Sequence, residues 1–178
     1  MKYRIIFIIL FSILVSFILG NIYLGKSYGL GDPIKYYVSP SYGYALRENQ
    51  TMTRDNEHFI SINNVGMRNK SDYSKSEKDN LILFFGDSVV YGGSYIDDDD
   101  TVSSKFCSFI SSFKKKKFFC GNYAVNAYGI TNITQRIKSV NYKLKSKFTV
   151  VLLTSGNIQR GKTSLSGQPF FMKEIKSP

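Results

Sequence analysis

The chain has no tryptophan, two cysteines and one histidine. The cysteines, Cys107 and Cys120, fit no zinc-ligand spacing and have no histidine near them, so a structural zinc site is excluded. The single histidine, His58, leaves any serine nucleophile one imidazole to draw on. Acidic residues are also scarce: 13 against 24 lysines and arginines, a net charge of +11. The positive charge is dispersed, and its one cluster, residues 114–117, reads as a solvated turn. No face interleaves arginines with aromatics, so nucleic acid is not an expected partner. Internal repeats and low-complexity tracts are absent. For a disulfide an exported domain would be permissive; the apolar patterns around Cys107 and Cys120 slightly favour two small buried thiols instead.

What the chain does have, first, is a long apolar run. Residues 5–24 are interrupted only by Ser12, Ser16, Gly20 and Asn21. As a helix, about twenty such residues match a bilayer core. Lys2 and Arg4 precede the run and favour a cytoplasmic amino end, with the rest of the chain outside. A cleaved signal peptide, the rival reading, has a shorter apolar region and small residues at both cleavage positions; residues 18–20 offer one. The expectation is an uncleaved, single-pass anchor. No polar face runs along it, which argues against a buried core helix.

Three segments follow from this reading: an anchor over 1–25, a stem and irregular or β-containing lead-in over 26–80, and an α/β domain over 81–178. In the lead-in, residues 58–62 alternate weakly as a short strand and residues 63–66 read as a turn. From Leu81 the pattern is strand, helix, strand, helix, strand. Residues 81–85 are a continuous apolar run, the signature of a strand buried on both faces. Thr101 is an N-cap, with the acidic residues 97–100 ahead of it as a solvated loop. Val102, Phe106, Phe109, Ile110 and Phe113 recur at helical spacing. Residues 118–124 form a second strand. Asn132 with Gln135 resembles a capping box, and Ile133, Ile137, Val140 and Leu144 form one helical face. Residues 148–154 are a third, β-branched strand. This alternation predicts an α/β fold with a parallel sheet. Beyond Gly156 no helix or strand is expected. Three strands leave one sheet edge open, so the pattern expects a domain incomplete at its C-terminal end.

Each strand ends in a polar, turn-forming cluster: Gly86-Asp87-Ser88, Asn126-Ala127-Tyr128-Gly129 and Ser155-Gly156-Asn157. In a parallel sheet these ends converge where ligands bind. Ser88 stands there as a nucleophile. The backbone N–H groups of Ser88 and Ala127 and the Asn157 amide are candidate donors to an oxyanion. Asp87 is expected to fix the turn by backbone hydrogen bonds. His58 precedes Ser88 by thirty positions and reads as a strand-edge histidine rather than its base. The run 97–100 lacks the spacing and turn glycine of a calcium loop.

Residues 83–88 with Tyr91-Gly92 resemble the nucleophile block of the SGNH (GDSL-like) hydrolase and acyltransferase superfamily. Residues 122–129 resemble its second block and residues 155–158 its third. Residues 62–68 are similar to a segment preceding the nucleophile in membrane-anchored members. The resemblance implies a flavodoxin-like α/β sandwich with Ser88 as nucleophile, Ala127 at the oxyanion glycine position and Asn157 as a further oxyanion donor. It implies no cofactor or metal, and an ester hydrolase or O-acyltransferase acting on extracytoplasmic substrates such as an acylated glycan. Four departures stand out. Ala127 replaces glycine, Ser155 and Ile158 replace the usual glycine and aspartate of the third block, and no Asp-x-x-His block follows Ser88. The activity is therefore expected to be impaired, and a non-catalytic domain that binds glycan or assists a partner protein is the alternative.

Overall fold

A computed structural model describes residues 2–28, 34–54 and 58–164. The first element, α1, is a helix over Lys2–Tyr28. Its stretch Lys2–Ser27 is long and apolar enough to cross a membrane, and none of it is buried inside the protein. A helix of this length and composition can sit in a bilayer.

Two antiparallel hairpins come next. β1 (Tyr36–Ser39) pairs with β2 (Gly43–Leu46), and β3 (Gln50–Arg54) pairs with β4 (His58–Ile62). The lead-in is not a loose stem. Tyr44, Leu46, Ile60, Ile62 and Met67 are buried in the same core as the later strands. The turn expected at 63–66 is present, closed by Gly66 N–H to the Asn63 carbonyl at 3.1 Å with Gly66 at positive φ.

Three parallel strands form the centre: β5 (Leu81–Phe85), β6 (Phe119–Asn122) and β7 (Phe148–Val151), in the spatial order β6-β5-β7. All five residues of β5 are buried, as its unbroken apolar run requires. A short helix α2 (Ser88–Tyr91) follows β5; α3 (Val102–Lys114) joins it to β6, and α4 (Ile130–Leu144) joins β6 to β7. Successive strand side chains point to opposite faces. Phe84 meets Phe106 of α3 edge-on at 5.5 Å, while Phe85 stacks on Tyr123, whose ring lies under Arg136 of α4. The two helices thus cover opposite faces of the sheet.

Several expectations need correction. The second and third strands are shorter than 118–124 and 148–154. A helix, α5 (Ser155–Arg160), begins where no further element was expected; residues 165–178 of that tail lie outside the described residues. Asn132 is not the N-cap of α4 with Gln135 as its partner; it makes the return bond of a capping box one turn earlier. It is the third helical residue behind Gly129, and its Oδ1 accepts the Gly129 N–H at 3.2 Å. The apolar set on α3 is not one buried stripe: Phe109 and Phe113 stack on each other in solvent, and the helix meets the core through Phe106, Cys107 and Ile110. Cys107 and Cys120 are joined as a disulfide with Cα atoms 5.6 Å apart, not two thiols. Spacing alone could not show that α3 lays Cys107 beside β6.

Candidate active site

Ser88 is the first residue of α2, immediately beyond the central strand. Its neighbours on both sides are held. Asp87 is the N-cap, and its Oδ1 accepts the Val89 N–H at 3.1 Å, the turn-fixing role its position suggested. Gly92 ends the helix in the left-handed region. Gly86 is packed so closely that a Cβ there would fall 2.3 Å from Val90 Cγ2. Ser88 itself is exposed, and among the described residues no side chain hydrogen-bonds its Oγ.

The other two strand ends are tied to this turn. The second Asp87 oxygen, Oδ2, accepts from Thr154 Oγ1 and Arg160 Nη2, each at 3.3 Å. Asn157 Nδ2 donates to the Tyr128 carbonyl at 2.8 Å, and Arg160 Nη1 reaches the same carbonyl at 3.4 Å. Thr163 Oγ1 donates to the Ala127 carbonyl at 3.0 Å. Ser88, Ala127 and Asn157 therefore stand on turns linked into one network at one end of the sheet.

Within it, Ala127 is held at φ +60°, the left-handed region that favours glycine. This gives a backbone reason for a glycine at this position. Asn157 is fully buried as the third residue of α5, and its Oδ1 accepts from Thr154 N–H at 2.6 Å and from Thr154 Oγ1 at 2.9 Å. Its amide works internally, splinting the β7 end to the 126–129 loop.

Sequence reasoning missed the residue that organises the loop behind Ser88. Arg68 is 1% exposed. Its Nε donates to Asp98 Oδ1 at 2.8 Å, Nη1 to the carbonyls of Tyr91 and Gly93 at 2.8 and 2.6 Å, and Nη2 to the Ile96 carbonyl at 2.6 Å. The guanidinium also lies 4.9 Å over the Tyr91 ring. Asn122 continues the clamp, donating from Nδ2 to the Val90 carbonyl at 2.7 Å. The signal was an arginine directly after the Val65-Gly66-Met67 turn segment, which pattern alone does not mark as buried.

The acidic run 97–100 is solvated only in part: Asp99 and Asp100 are exposed, as expected, while Asp98 is buried. Asp97 accepts the Phe59 N–H, Asp98 is buried against Arg68 and the Ser61 N–H, Asp99 meets Lys70, and Asp100 meets Lys105. Burial pushes the Asp98 carboxyl above its ordinary value, with Arg68 and the Ser61 hydrogen bond pulling it back. Thr101 caps α3 as expected, accepting the Ser104 N–H at 3.3 Å. His58 heads β4 on the strand pair beside this run, and no hydrogen bond joins it to Ser88.

No protein-family model, no curated protein and no solved structure matches this chain.

Proposed function

We propose that this chain presents the nucleophile of an SGNH-type ester hydrolase or O-acyltransferase, tethered by α1 with its α/β domain outside the cytoplasm. The substrate class in this reading is an acyl ester such as an O-acetyl group on a glycan. The observation that carries it is Ser88, exposed at the helix start beyond a fully buried central strand, with the Ala127 and Asn157 turns bonded to the same network. In this reading the Ser88 backbone N–H, at the start of α2, is a donor to the developing oxyanion, the Val89 N–H being taken by Asp87. The parallel order β6-β5-β7, with the first strand central, supports a flavodoxin-like reading, in which ligands sit at the carboxyl ends of the strands. The Cys107–Cys120 disulfide supports an oxidising compartment.

In this reading Ser88 has no general base among the described residues, and proton abstraction alone contributes about a hundred- to ten-thousand-fold. The purified chain in neutral detergent should therefore hydrolyse p-nitrophenyl acetate no faster than its Ser88→Ala variant. Imidazole added as an external base should raise the Ser88-dependent rate by about tenfold or more, and do nothing beyond solution catalysis for Ser88→Ala. Identical imidazole responses in the two proteins would remove the catalytic reading. The second reading, a non-catalytic domain that binds acylated glycan, would then stand, and the internally bonded Asn157 amide is the observation in its favour. A Ser88-dependent rate without imidazole that vanished in His58→Ala would make His58 the base.

A further inference from the structure

At the end of the sheet away from Ser88, the chain entering β5 and β7 gathers cations. The 3-10 turn Lys75–Asn80 leads into β5, and the carboxyl end of α4 leads through Lys145 toward β7. Between them lies a cleft of about 490 Å³ rimmed by Lys75, Lys78, Lys143 and Lys145, with Tyr73 and Leu144 also in its wall. A second cavity of about 230 Å³ shares Val65, Lys143 and Leu144 with the first and reaches Arg136.

Arg136 is 5% exposed and sits between the rings of Tyr42 and Tyr123 at 4.6 and 4.9 Å. Its Nη1 donates to the Tyr37 hydroxyl at 3.1 Å, and its Nε is buried without a partner. No described carboxylate pairs with Arg136 or with any of the four lysines; Glu48, exposed, is the one acidic residue in either lining. Glu77, on the same turn, is engaged by Lys117 outside the cleft. Buried cations are normally paired, and four lysines rimming one cleft, with Arg136 in the cavity beside it, repel one another unless an anion joins them.

We propose that the lysine-rimmed cleft binds an acidic saccharide, its carboxylate or phosphate held by the lysines and its ring seated against the half-buried Tyr73, with Arg136 adding positive charge from the adjoining cavity. Apolar walls with a few convergent charges are the usual build of a small-molecule site, and Tyr73, the one tyrosine in the lysine-rimmed lining, offers an apolar ring for a sugar to pack against. The site lies apart from the Ser88 turn and does not depend on what Ser88 does.

The test uses the full chain in neutral detergent and calorimetry with trigalacturonate, glucose 6-phosphate, inorganic phosphate, maltotriose and a single-stranded oligonucleotide. Trigalacturonate, glucose 6-phosphate or both should bind, and maltotriose should not. Which of the two binds tells carboxylate from phosphate recognition. The variant Lys75→Gln/Lys78→Gln/Lys143→Gln/Lys145→Gln should bind about tenfold or more weakly, since each exposed charge contributes a fraction of a kcal/mol. These four side chains are exposed, so the variant should keep the wild-type thermal midpoint. Ser88→Ala should bind like wild type, which separates this site from the esterase reading. Unchanged affinity in the lysine variant, equal affinity for inorganic phosphate, or tighter binding of the oligonucleotide would overturn the proposal.

Discussion

Ala127 shows how one backbone angle constrains a site. Its φ of +60° places a methyl group where L-residues are disfavoured by roughly 1–2 kcal/mol. Glycine removes that clash but adds disorder to the unfolded chain, which offsets part of the gain. Ala127→Gly should raise the unfolding free energy by about 0.5–1 kcal/mol, read as an upward shift in the urea midpoint at constant slope. A fall in the midpoint would mean the turn relaxes away from the left-handed region in solution. Glycine at 129 answers to a different constraint. There a Cβ would meet the Gly161 carbonyl oxygen at 2.1 Å, so it is close approach and not φ that excludes a side chain.

At the scale of elements, the loop from Ser88 to Thr101 is held from outside by Arg68, which reaches three carbonyls and the Asp98 carboxylate. Removing one member of a buried pair strands the other charge, at a cost of about 3–5 kcal/mol. Asp98→Ala should therefore destabilise the domain by that amount, whereas Asp99→Ala, whose partner Lys70 is exposed, should cost less than about 1 kcal/mol. Equal midpoints for the two variants would show the clamp to be dispensable. The disulfide between α3 and β6 encloses a separation of 13 residues, for which chain entropy gives about 3 kcal/mol. Cys107→Ser/Cys120→Ser should lose about that much, and reduction of the wild-type chain should lower its midpoint comparably. What could be read from sequence at this scale was whatever periodicity encodes: the β5 run, the Thr101 cap, the Ile133–Val140 side of α4 and the turn at 63–66. Arg68, the partners of residues 97–100 and the disulfide were not legible. Apart from the local Asp100–Lys105 pair, each joins residues about 13 to 38 positions apart through tertiary packing, which local pattern does not carry. Of the site, the positions of Ser88 and Asp87 were legible because a strand end and a helix start are local events; the internal bonding of Asn157 was not.

For the whole molecule, the decisive asymmetry is between the two edges of the parallel sheet. The β6 edge is closed, because Arg68 bridges Asn122 to the β4 end through Ile62. The β7 edge has no strand beyond it among the described residues. Along it and just past it, Phe148, Val151, Leu152 and Leu153 are 55, 40, 40 and 47% exposed. A strand with open backbone donors and acceptors and apolar side chains templates pairing with another chain. The purified chain should accordingly self-associate in neutral detergent as its concentration rises, by a route separate from α1, since both edges share the same anchor. Val151→Lys puts a charge on that edge, the device by which natural edges resist pairing. Because Val151 is already exposed, the substitution should change stability by less than about 0.5 kcal/mol. Sedimentation velocity at matched detergent should then show the larger species shrinking in Val151→Lys, while Phe59→Lys, an exposed apolar position on the far hairpin, leaves the distribution unchanged. If both variants behave like wild type, association runs through α1 and the β7 edge is inert.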